Sequence, residues 1–295
     1  QMLQEVRPTV MTAVPRLYEV LHDRIMLGVT SKGGITERLF LRAIHLGRKK
    51  LSGNRLGFLE HLQDRGLDML VRRKVRKRFG GRLSYFVSGG AALAPEIGTF
   101  FLSLGVQILQ GYGQTEASPL ISANRPTKIR IETVGPAVKG VIVAATPEDE
   151  LIIRGDCVMK GYWRDDNATA AALQNGWLYT GDLAKIDSDG YITIIGRKKD
   201  IIVTSGGDNV APAKLEAALV MKPEIGQVMV YGDKRPWLSA VVVPASENKS
   251  DNAVFEDISR CIAEVNQTLS KSEKIRRFLI ADAPFSVENA LLTPT

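Results

Sequence analysis

The sequence predicts an α/β protein: the end of a large α/β domain bearing a small β-subdomain, then a small mobile α+β domain at the carboxyl end. Three observations predict it. Leu83–Val87, Ala94–Leu104 and Val106–Leu109 read as strand, helix and strand. Residues 134–196 then change to short alternating strands with tight turns, and beyond about residue 200 helices and strands resume after a glycine turn. A chain of 295 residues can bury a sizeable core and divide into two domains.

Taken in order, residues 6–30 open on an apolar strand-like run closed by Pro15, followed by helical periodicity through Leu17, Leu21 and Ile25. Residues 35–79 read as helix, broken near Ser52-Gly53-Asn54. Pro95 stands early in its helix, where a missing N–H costs little. Val106–Leu109 delivers the chain into Gly111, and in such a sheet ligands collect at the carboxyl ends of strands. In the β-rich block, Leu151–Gly155, Ala184–Asp187 and Tyr191–Ile195 alternate, and Asp189-Gly190 marks a hairpin. Pro212 opens a helix with Leu215, Leu219 and Val220. Strands at Gln227–Tyr231 and Leu238–Val243 follow, then a helix through Ile258, Ile262 and Leu269. Ser246–Asn252 reads as loosely ordered. The expected division is 1–196 (sheet about 1–133, β-subdomain about 134–196), a hinge at 197–199, and a truncated domain at 200–295.

Composition is that of an ordinary globular chain, 44% hydrophobic and 24% charged, with no apolar run of the roughly 18 residues a spanning helix needs. The start lacks a signal-peptide pattern and an initiator methionine, so the chain is expected to be a fragment. Cys157 and Cys261 form no metal-ligand spacing or disulfide framework, which points to a reducing compartment and a cytoplasmic location. His22, His45 and His61 read as surface or packing residues. Of the net charge of +7, much sits between Arg65 and Arg82, where Arg72, Arg73, Lys74, Arg76, Lys77 and Arg78 crowd together. Leu67, Leu70, Val71, Val75 and Phe79 recur there at helical spacing, giving an amphipathic helix with a basic outer face. Two readings stand: a solvated face, or peripheral contact with an anionic membrane surface, where each basic residue contributes about 1 kcal/mol. Nucleic acid is disfavoured, since no aromatic interleaving or nucleic-acid motif accompanies the charge.

Three short motifs carry the chemistry. Gly89-Gly90-Ala91 and Gly111-Tyr112-Gly113 let a flat base approach the backbone, with the Tyr112 ring available to stack. Thr115 offers a hydroxyl to a phosphate, and Glu116 an oxygen ligand of the kind Mg²⁺ shares with substrate phosphates. Asp182, read on a turn after Tyr179-Thr180-Gly181, can accept both hydroxyls of a ribose. Arg197 offers a fork of donors to the same sugar or to a phosphate. Each motif alone also reads as a plain turn or a surface salt bridge; their conjunction in this order is what singles them out.

Together Gly111–Glu116, Gly176–Asp182, Gly196–Ile202 and Gly206–Pro212 with Glu216 resemble the adenylate-forming (AMP-binding) superfamily. Arg7–Glu19 and Leu291–Thr295 are most similar to its long-chain fatty acyl-CoA and acyl-carrier-protein synthetases. The resemblance implies ATP-dependent activation of a fatty acid to an acyl-adenylate, then transfer to coenzyme A or to a carrier protein. Ligases of other carboxylic acids, and an inactive nucleotide-binding protein, are the alternatives. It implies adenine contacts at Gly89, Gly90, Ala91, Gly111 and Tyr112 within the Gly111–Gly113 run, phosphate binding at Thr115 and Mg²⁺ at Glu116. It further implies ribose contacts at Asp182 and Arg197, a hinge at Lys199, and a thiol channel lined by Gly206 and Gly207. The family's upstream phosphate-gripping loop and its lysine beyond Thr295 are absent from this sequence, so the chain alone is expected to bind AMP weakly and adenylate poorly.

Overall fold

The computed structural model describes residues 2–245 and 251–292. Residues 246–250 of the patch expected to be loosely ordered lie outside the described residues. Asp251 and Asn252, expected in the same patch, begin a helix instead. The chain divides into two compact units: Gln1–Pro147 with Leu151–Thr180 and Lys185–Ile194, and Glu148–Glu150 with Gly181–Ala184 and Ile195–Thr295.

The first unit opens with α1 (Met2–Val6), β1 (Val10–Ala13), α2 (Pro15–Thr30), α3 (Gly34–Leu51) and α4 (Phe58–Leu67). A π-helical turn (Asp68–Arg72) joins α4 to α5 (Arg73–Arg78), followed by β2 (Tyr85–Ser88), α6 (Pro95–Ser103), β3 (Gln107–Gly113) and β4 (Leu120–Ala123). Pro15 and Pro95 sit in the first helical turn, where a proline's fixed φ suits the helix. The sheet order is β1-β2-β3-β4: Val10 pairs with Tyr85 and Tyr85 with Gln107 in parallel register, and β4 closes the edge antiparallel. Tyr18, Phe79, Phe86, Phe100 and Phe101 fill the core. Edge-on pairs hold it, at 5.3 Å for Tyr18–Phe86, 5.5 Å for Phe79–Phe86 and 5.3 Å for Phe100–Phe101. Each such pair contributes about 1 kcal/mol beyond its buried area. The Tyr18 hydroxyl donates to the Val87 carbonyl at 3.0 Å, and burial pushes its phenol well above the ordinary range.

The helical periodicity expected through Leu67–Phe79 is present, but its basic face is not all outward. Arg72 is 5% exposed. It donates to the carbonyls of Ser103 at 2.8 Å and Ala43 at 2.9 Å, and pairs with the Asp64 carboxylate at 2.8 Å. The π-helical turn holds an extra residue per turn, which rotates the helix so that Arg72 points inward. Leu70, expected on the apolar inner face, is turned out to solvent. Burial alone would raise the Asp64 carboxyl. Hydrogen bonds from Lys50 and Arg72 outweigh it and hold the group below the ordinary carboxylate range.

The β-rich block comprises β5 (Val141–Ala145), β6 (Glu150–Gly155), α7 (Asp166–Ala172), β7 (Leu173–Gln174), β8 (Trp177–Ile186) and β9 (Ile192–Arg197). Their sheet order is β5-β6-β8-β7, with β9 on β8. The expected hairpin is present at Ser188-Asp189-Gly190, where Asp187 Oδ1 accepts from the Asp189 and Tyr191 amides at 2.9 Å. Arg130 pairs with Asp187 and Asp189 and lies 4.2 Å over the Tyr191 ring, fixing the turn from outside. Ala184–Asp187, expected as a separate short strand, is for the most part the end of the longer β8.

The second unit continues with β10 (Ile202–Val203), β11 (Asn209–Val210), α8 (Pro212–Val220), β12 (Ile225–Tyr231), β13 (Leu238–Pro244), α9 (Asp251–Thr268) and β14 (Ile275–Ile280). β12 and β13 pair antiparallel, and β14, which has no clear signal in the sequence, adds parallel to β13. Leu215, Leu219, Val230, Leu238, Val242, Ile258, Ile262 and Ile275 form the core beneath the two helices. Cys261 is buried among them as a free thiol; burial and its hydrogen bond to Glu224 push it up to about 11. His22 packs its ring 4.4 Å from Phe100, while His45 and His61 are exposed. Among the described residues no helix is long and apolar enough to cross a membrane.

Replacing Arg72 leaves the Ala43 and Ser103 carbonyls without their donor and the buried Asp64 carboxylate with Lys50 as its remaining cation, so Arg72→Met should lower stability by about 3 kcal/mol in urea titration. A carboxyl depressed on folding contributes stability that is complete above its unfolded pKa, about 4, and lost as pH falls through the folded value. Below about pH 4 the parent protein should therefore lose the Asp64 contribution, while Arg72→Met should show a shallower acid dependence.

Candidate nucleotide site

In the first unit, the residues expected to face a nucleotide stand where the parallel pairing of three strands ends. β1 runs into Val14, β2 into Gly89-Gly90-Ala91, and β3 into Gly111. A Cβ added at Gly89 would stand 3.7 Å from the Gly111 carbonyl oxygen, and one at Gly90 3.9 Å from Val14 Cγ1. The structure thus brings Gly89, Gly90 and Gly111 together, with Ala91 exposed beside them. Just before them, the buried Ser88 hydroxyl has no hydrogen-bond partner among the described residues.

Gly111, Tyr112 and Gly113 do not form the plain turn that stood as the alternative reading of this motif. They continue β3, paired with Ala123, Ser122 and Leu120 of β4, because the antiparallel partner supplies the ladder that extends the strand. The turn comes later, as a single 3₁₀ turn at Thr115–Ala117 that ends in Ser118 with φ 53° and ψ 53°. A non-glycine residue in this left-handed region costs about 1 kcal/mol, which the surrounding bonds must over-determine. They do so through Glu116. Its carbonyl accepts from the Met159 amide at 2.8 Å, and its Oε1 accepts from the Tyr162 hydroxyl at 2.8 Å. Thr115 is exposed on this turn.

The bond to Glu116 raises the Tyr162 phenol above its ordinary value, with partial burial adding to the shift. Sequence reasoning misses Tyr162 because its partner lies 46 residues away; Gly161-Tyr162-Trp163 carries no local signal of the pairing. Among the described residues no three His, Cys, Asp or Glu side chains cluster as a metal site. A divalent cation at Glu116 would take its remaining ligands from water and substrate oxygens, a set that suits Mg²⁺.

In the second unit, Asp182 is 4% exposed and lies within β8 rather than on a turn. Gly181 supplies the irregularity that looked like a turn: its φ of 70° interrupts the extended backbone without ending the strand. The Asp182 carboxylate pairs with Arg197 Nε at 3.1 Å. The next residue, Lys198, pairs with the buried Glu150 at 2.7 Å, and Glu150 also accepts from the Gly181 amide at 3.1 Å. Nothing local signals this second pair, since Glu150 stands 48 residues before Lys198. Lys199 is exposed in a 3₁₀ turn, and Gly206-Gly207 form an exposed turn between β10 and β11, closed by the Gly207 amide on the Thr204 carbonyl at 2.9 Å. Glu216 is half-buried and accepts from the Val230 amide at 2.8 Å; burial raises its carboxyl.

A mostly parallel sheet with glycines and a tethered carboxylate at its carboxyl edge is a build in which ligands collect at the strand ends. The chain belongs to the AMP-binding enzyme family: that family's model matches residues 1–163, and the model of the AMP-binding enzyme C-terminal domain matches residues 199–289. The chain is 34% identical over 316 aligned residues to the long-chain-fatty-acid–CoA ligase FadD15 of Mycobacterium tuberculosis, covering 100% of this chain and 52% of that protein. Long chain acyl-CoA synthetase 1 of Arabidopsis thaliana is 31% identical, with 99% of this chain and 49% of that protein covered. The chain thus spans about half the length of the curated relatives it matches. Among solved structures, the adenylation domain of a carboxylate reductase from Mycobacterium chelonae superposes with a TM-score of 0.72 at 26% identity, covering 99% of this chain and 44% of that one. The corresponding domain from Segniliparus rugosus, in complex with AMP and a co-purified carboxylic acid, gives 0.65 at 26% identity, covering 98% and 44%.

Tyr162 donates to an anion, so removing the charge should let it ionise more easily. Ultraviolet titration of Glu116→Gln should show one phenol moving down toward about pH 10, a transition missing from Tyr162→Phe.

Proposed function

We propose that the protein activates a long-chain fatty acid with ATP and passes the acyl group to the thiol of coenzyme A. The observation that carries this reading is the identity, along the whole chain, to a protein named as a long-chain-fatty-acid–CoA ligase. In the first step a carboxylate oxygen of the fatty acid attacks the α-phosphorus and pyrophosphate leaves. In the second the thiolate attacks the acyl carbon and AMP leaves.

Each residue then has a part set by its chemistry. Gly89, Gly90 and Ala91, with Gly111, Tyr112 and Gly113, receive the adenine; Thr115 donates to phosphate. Asp182 accepts from the ribose hydroxyls, held in orientation by Arg197. The attack brings negative charges together, and Mg²⁺ bound at Glu116 would offset that charge. Tyr162 keeps the Glu116 carboxylate aimed while the 3₁₀ turn holds it at the strand end. Lys199 serves as the hinge between a domain ending near 196 and one beginning near 200, and Gly206-Gly207 line the path of the thiol. A substrate with a long apolar chain partitions into membranes, so peripheral contact with an anionic membrane surface belongs to this reading.

An acid panel with ATP and coenzyme A, on the longer protein that carries this chain, should release AMP only with long-chain fatty acids. Coenzyme A and a carrier protein offered separately will name the acceptor. Release with none of the acids overturns the reading. Glu116→Gln should slow acid-dependent pyrophosphate release roughly a hundredfold. Lys199→Pro fixes one backbone torsion, and should slow acyl transfer to the thiol while leaving pyrophosphate exchange near the parent rate.

Loss of the charged partner of the ribose hydroxyls costs about 1.5–3 kcal/mol, so Asp182→Asn should weaken AMP binding roughly tenfold to a hundredfold in calorimetric titration.

A further inference from the structure

Between β6 and α7 the chain returns to the Glu116 turn and fastens to it twice. The Met159 amide donates to the Glu116 carbonyl and holds the main chain, while the Tyr162 hydroxyl donates to Oε1 and holds the side chain, both at 2.8 Å. Tyr162 is itself held from behind. Thr169 Oγ1, in the first turn of α7, accepts from the Tyr162 amide at 2.9 Å and donates to the Asp165 carbonyl at 2.8 Å. Asp165 caps the helix, its Oδ1 accepting from the Ala168 amide at 2.8 Å. Only glycine fits at position 161, whose φ is 150°: a Cβ there would stand 2.7 Å from Thr169 Cγ2 and 2.9 Å from Thr169 Oγ1. Arg164 closes the turn at φ 53°, in the left-handed region.

This is more support than an exposed connection needs. Tyr162 is 41% exposed, so packing alone does not fix its ring; the bond to Glu116 is what the cap, the doubly used hydroxyl and the glycine together secure. With Oε1 committed to Tyr162, Oε2 accepts from no described residue and is the oxygen left for a cation. A cation there meets one carboxylate oxygen rather than a pair. Mg²⁺ keeps several waters in near-ideal octahedral geometry, and a single oxygen suits it. Ca²⁺ takes roughly six to eight oxygens in a flexible shell, and both oxygens of a carboxylate at once suit it better.

We propose, resting on the reading of Glu116 as the protein ligand of the cation, that Gly161, Asp165 and Thr169 act through Tyr162 to make Glu116 a one-oxygen ligand, and so favour Mg²⁺ over Ca²⁺. Thr169 is a positioning residue at second hand. Its hydroxyl places the Tyr162 amide, and the Tyr162 hydroxyl places the carboxylate. Without the phenol, Glu116 regains its torsional freedom and can offer both oxygens, a change that helps Ca²⁺ more than Mg²⁺.

The test uses the longer protein that carries this chain, holding an ATP analogue with a methylene bridge between the α- and β-phosphorus atoms. Mn²⁺ bound to that complex is displaced by Mg²⁺ or by Ca²⁺, and the released ion is followed by electron paramagnetic resonance. The ratio of the two displacing affinities is the readout, and no turnover enters it. Tyr162→Phe and Thr169→Val should each move that ratio toward Ca²⁺ by roughly fivefold, the equivalent of one hydrogen bond of about 1 kcal/mol. Thr169→Ser keeps the hydroxyl and should stay at the parent ratio. The double variant Tyr162→Phe/Thr169→Val should go no further than Tyr162→Phe alone, since two members of one relay do not add. A parent ratio in Tyr162→Phe or in Thr169→Val overturns the proposal. An additive double variant overturns it too, and makes Thr169 a support of the loop alone. Glu116→Gln separates the two readings. If it leaves Mn²⁺ binding at the parent level, Glu116 is no metal ligand and both fall. If it weakens Mn²⁺ binding while Tyr162→Phe and Thr169→Val keep the parent ratio, the ligand stands and the selectivity device falls.

Discussion

The buried guanidinium of Arg72 is the constraint on which the helical layer of the first unit depends. It answers the Ala43 carbonyl in α3, the Ser103 carbonyl at the end of α6 and the Asp64 carboxylate in α4, so one side chain ties together three helices. A buried charge is costly unless its hydrogen bonds are met, and here geometry meets several of them from separate segments. The arrangement also requires the π-helical turn, since a regular α-helix would carry residue 72 elsewhere around the axis. Helix irregularity, buried ion pair and docking of α6 are consequences of one another.

With α6 so placed, β2 and β3 lie side by side and release the chain at the same edge. The Gly89–Ala91 and Gly111–Gly113 segments then meet at that edge. The chain beyond Gly111 is held differently. Antiparallel pairing with β4 carries the strand past the glycines, and the strained Ser118 ends a turn that presents Glu116 to Tyr162. Parallel strands supply position, and local strain supplies direction.

Much of this is legible from sequence because it depends on local pattern. The strand, helix and strand through residues 83–109, the Asp189-Gly190 hairpin and the proline-led helices at Pro95 and Pro212 all arise from neighbouring residues. The misreadings share a cause too. Asp182 looks like a turn residue because Gly181 resembles a turn signal, whereas neighbouring strands hold the chain extended around it. Arg72 reads as one of the outward cations because its carbonyl partners belong to remote segments. Strand β14 escapes notice because consecutive arginines, Arg276 and Arg277, spoil its alternation while Ile275 alone is buried. Tyr162 and Glu150 find their partners across more than forty residues, a distance at which a single sequence carries no pairing signal.

The adjacent ion pairs Arg197–Asp182 and Lys198–Glu150 have a further consequence for how the chain can turn. Both cations are fastened to acids that are themselves buried, so rotating the backbone at either position strips a carboxylate of its counter-charge in a place water does not reach. Lys199, exposed and without an ion pair among the described residues, carries no such penalty. The electrostatic anchor therefore ends at Lys198, one residue before the exposed Lys199. The same two pairs hold two buried carboxylates in place and tie the end of β9, and the residue after it, to β8 and β6.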